Sequence, residues 1–428
     1  QLWQTLCKYL FPTSTYHFNS GGEPEAIPDL SYEQLKAFYE THYHPSNAIF
    51  MTYGDMSAAE QQEKFESQAL HRFEALDREI SVTDEKRYQA PINVEEAYPL
   101  SDADDLTAKT HVVLGWLLGQ STDLKASLEA QLLASVLLDN SASPLQHALE
   151  TTSLGTAPSP LCGLEDSQKE LTFMCGLEGT EAHQAEAIEN LILDTIAQVA
   201  ENGIPLEELQ ACLRQLELQQ REVGGDSYPY GLQIILTALT SATHRGDVID
   251  LLNLDPVLER LHQDILDPDY IKRLAQKLLL DNQHRVRLTL KPDEGLAERK
   301  SAAEAIRLAR IKQSLSDDEK QAIVKQAHDL QARQQQVDDE SILPKVGLAD
   351  IPKEMHYTAR ESVQDLGAPL TRYAAGTNGL VYQQIIVDLP ELSRELLEVL
   401  PYYSICITEL GVGDQSYLDT QRWQAQVA

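Results

Sequence analysis

Hydrophobic positions first recur at helical spacing: Leu2, Leu6, Tyr9 and Leu10 share a face until Phe11-Pro12-Thr13-Ser14 breaks the run. Ser20-Gly21-Gly22 and the prolines at 24 and 28 then predict an irregular crossing. Ser31 with Gln34 makes a capping box, and Leu35, Phe38, Tyr39 and His42 carry a helix into Tyr43. Pro45 stops it, because the residue before a proline is pushed out of the α region. Ala48 to Tyr53 is an apolar run of strand type closed by Gly54-Asp55. A second capping box, Ser57 with Glu60, opens a long helix with Phe65, Ala69, Leu70, Phe73 and Leu76 on one face.

From Asp77 to Asp105 the helical period is lost. Pro91, Pro99 and the acids Glu95, Glu96, Asp102, Asp104 and Asp105 mark an interdomain connection with room for an edge strand. A second domain then follows. Thr110 to Leu118 reads as a compact apolar strand, Leu124 to Leu138 as a helix, and Ser143-Pro144 as the cap of a short helix. Gly155 to Leu164 is a loop, and Leu171 to Leu177 a strand. Helices are expected over 181–201, 205–223, 230–242, 256–266 and 268–280, with breaks at Asn202-Gly203 and Gly224-Gly225. Asp281-Asn282-Gln283-His284 turns into the alternating strand Arg285 to Leu290.

Past Leu296 the composition shifts to Ala, Gln, Arg, Lys and Glu, with a break at Ser314-Leu315-Ser316, which predicts an antiparallel helical hairpin ending near Gln336. Leu370 to Ala374 and Leu380 to Leu389 read as strands joined through Gly376-Thr377-Asn378-Gly379, followed by a helix from about Glu391 to Leu410.

A chain of 428 residues is too long for one core and calls for two or three domains. The formal net charge of −33 argues against nucleic acid as a partner, since phosphate binding needs clustered Lys and Arg. It suits a basic substrate or simply a solvated surface. No run reaches the ~18 uncharged apolar residues that a membrane-spanning helix requires. Gln1-Leu2-Trp3-Gln4 has no initiator Met and no signal-type core, so targeting stays open. Cys7, Cys162, Cys175, Cys212 and Cys406 are widely spaced with no C-x-x-C pair, which favours reduced thiols. Gly411-Val-Gly413 follows a helix and reads as its C-cap, and no Gly-x-Ser-x-Gly elbow occurs.

Phe11-Pro12, Ser20-Gly21-Gly22-Glu23-Pro24, Ile27-Pro28-Asp29-Leu30, Tyr43-His44-Pro45-Ser46-Asn47-Ala48 and Tyr53-Gly54-Asp55 stand in an order and spacing that carry a family signal. Together they resemble the pitrilysin (insulinase) family of zinc metallopeptidases, in its presequence protease branch. The likeness continues through Gly155-Thr156 with Pro158, Gly176-Leu177-Glu178-Gly179, Asn282-Gln283-His284, Leu343-Pro344 with Asp350-Ile351-Pro352, and Thr377 to Tyr382. It therefore covers essentially the whole chain.

Members of that family hold zinc through His-x-x-Glu-His on a helix, a later Glu being the third ligand and the motif Glu the general base. Two His four apart lie on one helical face and share a metal, while the Glu between reaches the bound water. None of the 12 histidines completes the motif: His147-Ala-Leu-Glu150 is followed by Thr151, His71-Arg-Phe-Glu74 by Ala75, and His42-x-His44 straddles a helix end. In the family the metal motif and third ligand both precede the segment that resembles Leu10 to Leu30. The chain is thus expected to begin just after the active-site residues and to end inside the third of four related domains. No catalytic residue and no metal ligand are expected on it; zinc belongs to the parent protein.

The resemblance also implies a chamber whose two halves close around an unfolded peptide, with apolar wall residues from the second domain. Leu145, Leu149, Leu161 and Phe173 are the candidate substrate-chamber residues, and a plain core position is the competing reading for each. The expected fold class is α+β, with metallopeptidase-type domains whose helices pack on one side of a mostly antiparallel sheet, plus a helical hairpin linker. Residues 1–90 would be the C-terminal part of the first, catalytic domain, 91–295 the second peptidase-like domain, 296–342 the linker and 343–428 the N-terminal part of the third.

The function implied is that of a fragment of a zinc-dependent metalloendopeptidase of short unstructured peptides, supplying chamber wall and linker and inactive alone. Its partners would be those peptides and the rest of the parent chain, with no nucleic acid and no membrane. A bacterial-type cytoplasm is the expected compartment, with the mitochondrial matrix or another organelle as the alternative. Two other readings compete: a non-catalytic scaffold or partner subunit of the same superfamily, and an acidic helical protein that holds basic partners.

Overall fold

The computed structural model describes residues 1–100, 105–224, 229–355, 357–363 and 369–427; Asp102, Asp104 and Gly225, named above, lie outside them. In chain order come α1 (Leu2–Leu10), α2 (Tyr32–His42), α3 (Ala58–Gln68), β1 (Ile92–Pro99), β2 (Thr110–Gln120), α4 (Leu124–Leu138) and α5 (Pro144–Thr151). The short β3 (Ala157–Pro158) and β4 (Gly163–Glu165) precede β5 (Glu170–Thr180), α6 (Ala185–Asn202), α7 (Leu206–Arg221), α8 (Tyr230–Thr243), α9 (Val248–Leu252), α10 (Asp255–Asp264), α11 (Tyr270–Ala275) and β6 (Arg285–Asp293). After them run α12 (Leu296–Ser314), α13 (Asp317–Gln334), β7 (Arg360–Val363), β8 (Leu370–Tyr373), α14 (Arg394–Cys406) and α15 (Tyr417–Val427).

The chain divides into two compact units, one of residues 1–294 with 380–428, the other of residues 295–379. In the first, one sheet runs β1-β6-β2-β5-β3, with β4 also paired to β5. β2 is antiparallel to both β5 and β6, pairing Leu114 with Cys175 and with Arg287, whereas β1 joins β6 in parallel, Val94 opposite Leu288.

β2 reads as an unbroken apolar run because both its faces are covered. Val112, Leu114, Trp116 and Leu118 point into a core closed by α4, α5, α6, α7, α10 and α11. Val113 and Leu117 point the other way, into a smaller core with Leu6, Leu10 and Phe11 at α1 and Val286, Leu288 and Leu290 of β6. Gly115, between them, lets α1 come close: a Cβ there would stand 3.0 Å from a Leu10 methyl and 3.2 Å from a Leu6 methyl. The sheet is thus covered on both faces, where the sequence pattern predicted helices on one.

β6 shows the same alternation. Its core-facing Val286, Leu288 and Leu290 are interleaved with Arg285 and Arg287, whose guanidinium groups share the Glu189 carboxylate of α6 at 3.2 and 2.6 Å. Trp116 donates its Nε1–H to Leu279 O at 2.9 Å, which satisfies the one polar atom of a fully buried indole. Leu279 sits in a single π-type turn, 276–280, that extends α11 over the expected helical span.

Several sequence expectations fail. Residues 48–53 form no strand. A strand is stable only with its N–H and C=O groups paired, and no described strand pairs with these residues. The helix expected to reach Leu76 ends at Gln68, because Ala69 leaves helical geometry at φ −134°, and a short 3₁₀ turn takes over 70–72. The loop 155–164 contains β3 and the start of β4, both added to the free edge of β5.

In the second unit β8 pairs antiparallel with β7, upstream of it, instead of forming a hairpin through Gly376 to Gly379. α12 and α13 occupy the expected spans with the Ser316–Glu319 capping box, and neither buries a side chain. Back in the first unit, residues 380–389 form no strand. α15 packs along α7, with Thr420 buried and Arg422 3.8 Å from Glu208. No described helix is long and apolar enough to cross a membrane.

Candidate functional site

Leu145 and Leu149 on α5 and Phe173 on β5 are buried in the helix-covered core, Phe173 with its ring centroid 5.8 Å from that of Trp116. Leu161, between β3 and β4, is half-buried and packs against the smaller core beneath α1. The sheet separates these two groups. Three of the four positions are therefore filled by packing, and only Leu161 presents surface.

The histidines named for metal binding are dispersed. His147 lies on α5, and its Nδ1 is buried without a partner. His71 bonds to Glu66 O, and His42 lies against the Phe38 ring. His44 Nδ1 accepts from Ser46 N, so that side chain caps the turn. Among the described residues no three His, Cys, Asp or Glu side chains converge. The groups present do not fit a zinc ion, and no chemical step is drawn through one.

What the quoted motifs build is a frame of polar contacts. Asn47 Nδ2 donates to His42 O at 3.0 Å, closing α2, while its Oδ1 accepts from Arg245 Nη2 at 2.8 Å. Ser46 Oγ accepts from Leu76 N at 3.0 Å. Gly179, at φ +64°, lies so close to Thr156 that a Cβ would fall 1.8 Å from its Oγ1, which explains glycine where the 155–158 segment crosses β5.

Asn282 ties the turn before β6 to Leu117 O at 2.9 Å and to Leu278 O at 3.0 Å, and its Oδ1 accepts from His284 N at 2.9 Å. His284 is fully buried: Nε2 meets Leu10 O at 2.8 Å, and Nδ1 meets Tyr88 N at 3.1 Å. Burial pushes its pKa down, with Arg87 adding to the effect, against the opposing pull of Leu10 O and Glu85.

Glu85, equally buried, accepts from Ser14 N at 2.9 Å, Lys86 N at 2.8 Å and Thr13 Oγ1 at 2.5 Å, and its two oxygens share Thr13 N. Burial pushes this carboxyl up, but those hydrogen bonds outweigh it and hold it below the usual range. Glu170 accepts from Glu85 N at 2.8 Å and from Arg87 Nη2 at 2.6 Å. Sequence reasoning missed Glu85, Arg87 and Glu170 altogether; it marked His284 only as part of a turn.

Beside this frame lies a cleft of ≈ 640 Å³ between residues 13–15, α2, residues 80–83 and α8. Phe38, Ile49, Ile80 and Leu239 give it apolar walls, and Ser14 points a buried Oγ without a partner from its lining. Its volume and mixed lining are those of a ligand-sized cleft.

Residues 29–216 match a family model described as the peptidase M16 inactive domain, and residues 290–427 match one for the region associated with subfamily C of the same peptidases. The chain belongs to the M16 (pitrilysin) peptidase family. Across 99% of its length it is 33% identical to the mitochondrial presequence protease of Xenopus tropicalis, and over 96% it is 29% identical to presequence protease 1, chloroplastic/mitochondrial, of Arabidopsis thaliana. Protein HypA of Clostridium perfringens matches 97% of it at 27% identity. The chain spans 41%, 38% and 42% of these three proteins.

Among solved structures, the M16 inactive domain from Pseudomonas fluorescens superposes with TM-score 0.47 at 21% identity, covering 68% of this chain and 64% of that one. The first half of the periplasmic protease PqqL from Escherichia coli gives 0.49 at 14%, covering 74% and 68%. The M16 family and the α+β fold expected from the sequence are both borne out.

Proposed function

We propose that this chain is the wall and linker portion of a zinc-dependent metalloendopeptidase that degrades short unstructured peptides in a closed chamber. Zinc is held by other residues of the parent protein. The observation that supports this reading is the match to presequence proteases along 99% of the chain, combined with the dispersal of its described metal-ligating side chains. On this reading residues 1–90 complete a catalytic domain, 91–295 form a second peptidase-like domain, 296–342 link the halves and 343–428 begin a third domain. Leu161 and the cleft beside Ser14 are the surfaces available to a peptide, whereas Leu145, Leu149 and Phe173 support them from the core. All five cysteines are free, which fits a reducing cytoplasm or a mitochondrial matrix, the latter being the compartment in the names of several relatives.

The deciding experiment measures zinc content and cleavage of a quenched fluorescent peptide, on this chain alone and on the complete product of its gene. The expected result is about one zinc and cleavage only in the complete protein, as for a single-metal hydrolase. Cleavage by the 428 residues alone would overturn the division of labour. A complete product that holds no zinc and cuts nothing would favour the scaffold reading, which the "inactive domain" description of residues 29–216 keeps in play.

A further inference from the structure

Both ring nitrogens of His284 face main-chain groups whose roles cannot be exchanged. Tyr88 N–H can only donate, so Nδ1 must carry a lone pair; Leu10 O can only accept, so Nε2 must carry the proton. The ring is therefore held neutral and in a single tautomer by two partners far from it in sequence. It also stacks on the Tyr88 ring at 4.4 Å and 19°, and the Tyr88 hydroxyl donates to Tyr9 O at 2.7 Å. One imidazole thus joins three segments: the end of α1, residues 84–88, and the turn into β6.

We propose that His284 is a proton-sensitive fastener: neutral, it ties the end of α1 and residues 84–88 to the sheet, and a proton on Nδ1 releases Tyr88. Protonation converts Nδ1 from acceptor to donor, so two N–H groups then face each other at 3.1 Å. A cation is also placed in a site with almost no access to water, which adds the cost of burying unpaired charge. Residues 84–88 present two charged groups to the ring, Glu85, which favours the proton, and Arg87, which opposes it. α1 presents the Leu10 carbonyl, β2 reaches only the His284 carbonyl, through Leu117 N at 3.2 Å, and Asn282 is uncharged.

The sign follows from the neutral site. The folded-state pKa of His284 lies below its ordinary 6.5, so the unfolded chain takes up the proton first. The fastening is fully present above pH 6.5 and is lost as pH falls through the lower folded value. Glu85 shares the region but acts in another window, because its carboxyl is held below the ordinary 4.5 and stays charged while His284 titrates.

The test labels histidine with ¹⁵N and follows the His284 ring, assigned by its absence in His284→Gln, together with amide exchange corrected for intrinsic rates. At pH 7.5 the expected ring is the Nε2–H tautomer, titrating below 6.5. One unit below that midpoint, exchange at Tyr88 should rise about tenfold, while amides shared by β2 and β5 keep their protection. In His284→Gln the exchange at Tyr88 should lose this pH dependence, since Gln does not titrate there. An Nδ1–H tautomer, a midpoint at or above 6.5, protection lost across the whole sheet at once, or the same pH dependence in His284→Gln would each overturn the proposal. If the variant does not fold, the tautomer of the wild-type ring and the exchange at Tyr88 still decide it.

Discussion

Replacing Glu85 by Ala tests whether the polar frame holds α1 in place. The carboxylate collects three main-chain N–H groups and one hydroxyl, and only Ser14 among those partners is itself buried. In the variant the Thr13 and Lys86 groups rehydrate at little cost, whereas Ser14 N–H is stranded for about 1–3 kcal/mol. Adding the net worth of the lost charge-assisted bonds, and allowing for relieved repulsion on Glu170, gives about 2–4 kcal/mol. Glu85→Gln keeps one acceptor oxygen and should lose about half as much. Urea unfolding followed by tryptophan fluorescence reads the total, and amide exchange at residues 11–14 reads the location. A cost below about 0.5 kcal/mol for Glu85→Ala, the scale of an ordinary surface change, would refute the argument. So would a large cost with unchanged exchange at 11–14. Because the folded pKa is depressed, this contribution is fully present above pH 4.5 and fades as pH falls below it.

Gly115→Ala should cost about 1–3 kcal/mol in the urea midpoint analysis, since the new methyl pushes into Leu10 and Leu6 side chains that have no free space. Trp116→Phe should cost about 2–4 kcal/mol by the same measurement, because it opens a cavity and strands Leu279 O. Thiol titration with an aromatic disulfide at pH 8 should find one fast cysteine, Cys406, which is exposed. Burial pushes Cys7 and Cys212 up to about 12, Cys175 well above its ordinary value and Cys162 upward, so these four should react only after unfolding in urea.

Local chemistry made much of the fold legible. The Leu124 to Leu138 helix appears with those bounds, and the capping boxes at Ser31, Ser57 and Ser316 are all formed. Such signals lie within a few residues of one another, so sequence carries them directly. Residues 48–53 have strand composition, but a strand also needs a neighbour, and composition does not name one. The wall candidates fail for a related reason. An apolar face at helical spacing marks burial without saying whether a core or a chamber lies beyond it, and Leu145 and Leu149 turned inward. The frame was illegible because its members are distant: His284 meets Leu10 across 274 positions and Tyr88 across 196. Glu85 sits in a segment with no period at all, where a single buried acid looks like any other loop residue.

The placement of β6 has a consequence for how the protein is made. β6 lies between β1 and β2 but is the last of the three to leave the ribosome, so neither earlier strand has its neighbour until residue 293 is synthesised. At ordinary translation rates the stretch after β2 takes roughly 10–35 s to make. Through that time the apolar faces of α1, β1 and β2 wait without their shared cover, and their contacts, once made, span most of the unit. Such non-local closure slows folding and exposes intermediates to aggregation. A nascent chain stopped before residue 285 should therefore depend on chaperones, and one released after it should not.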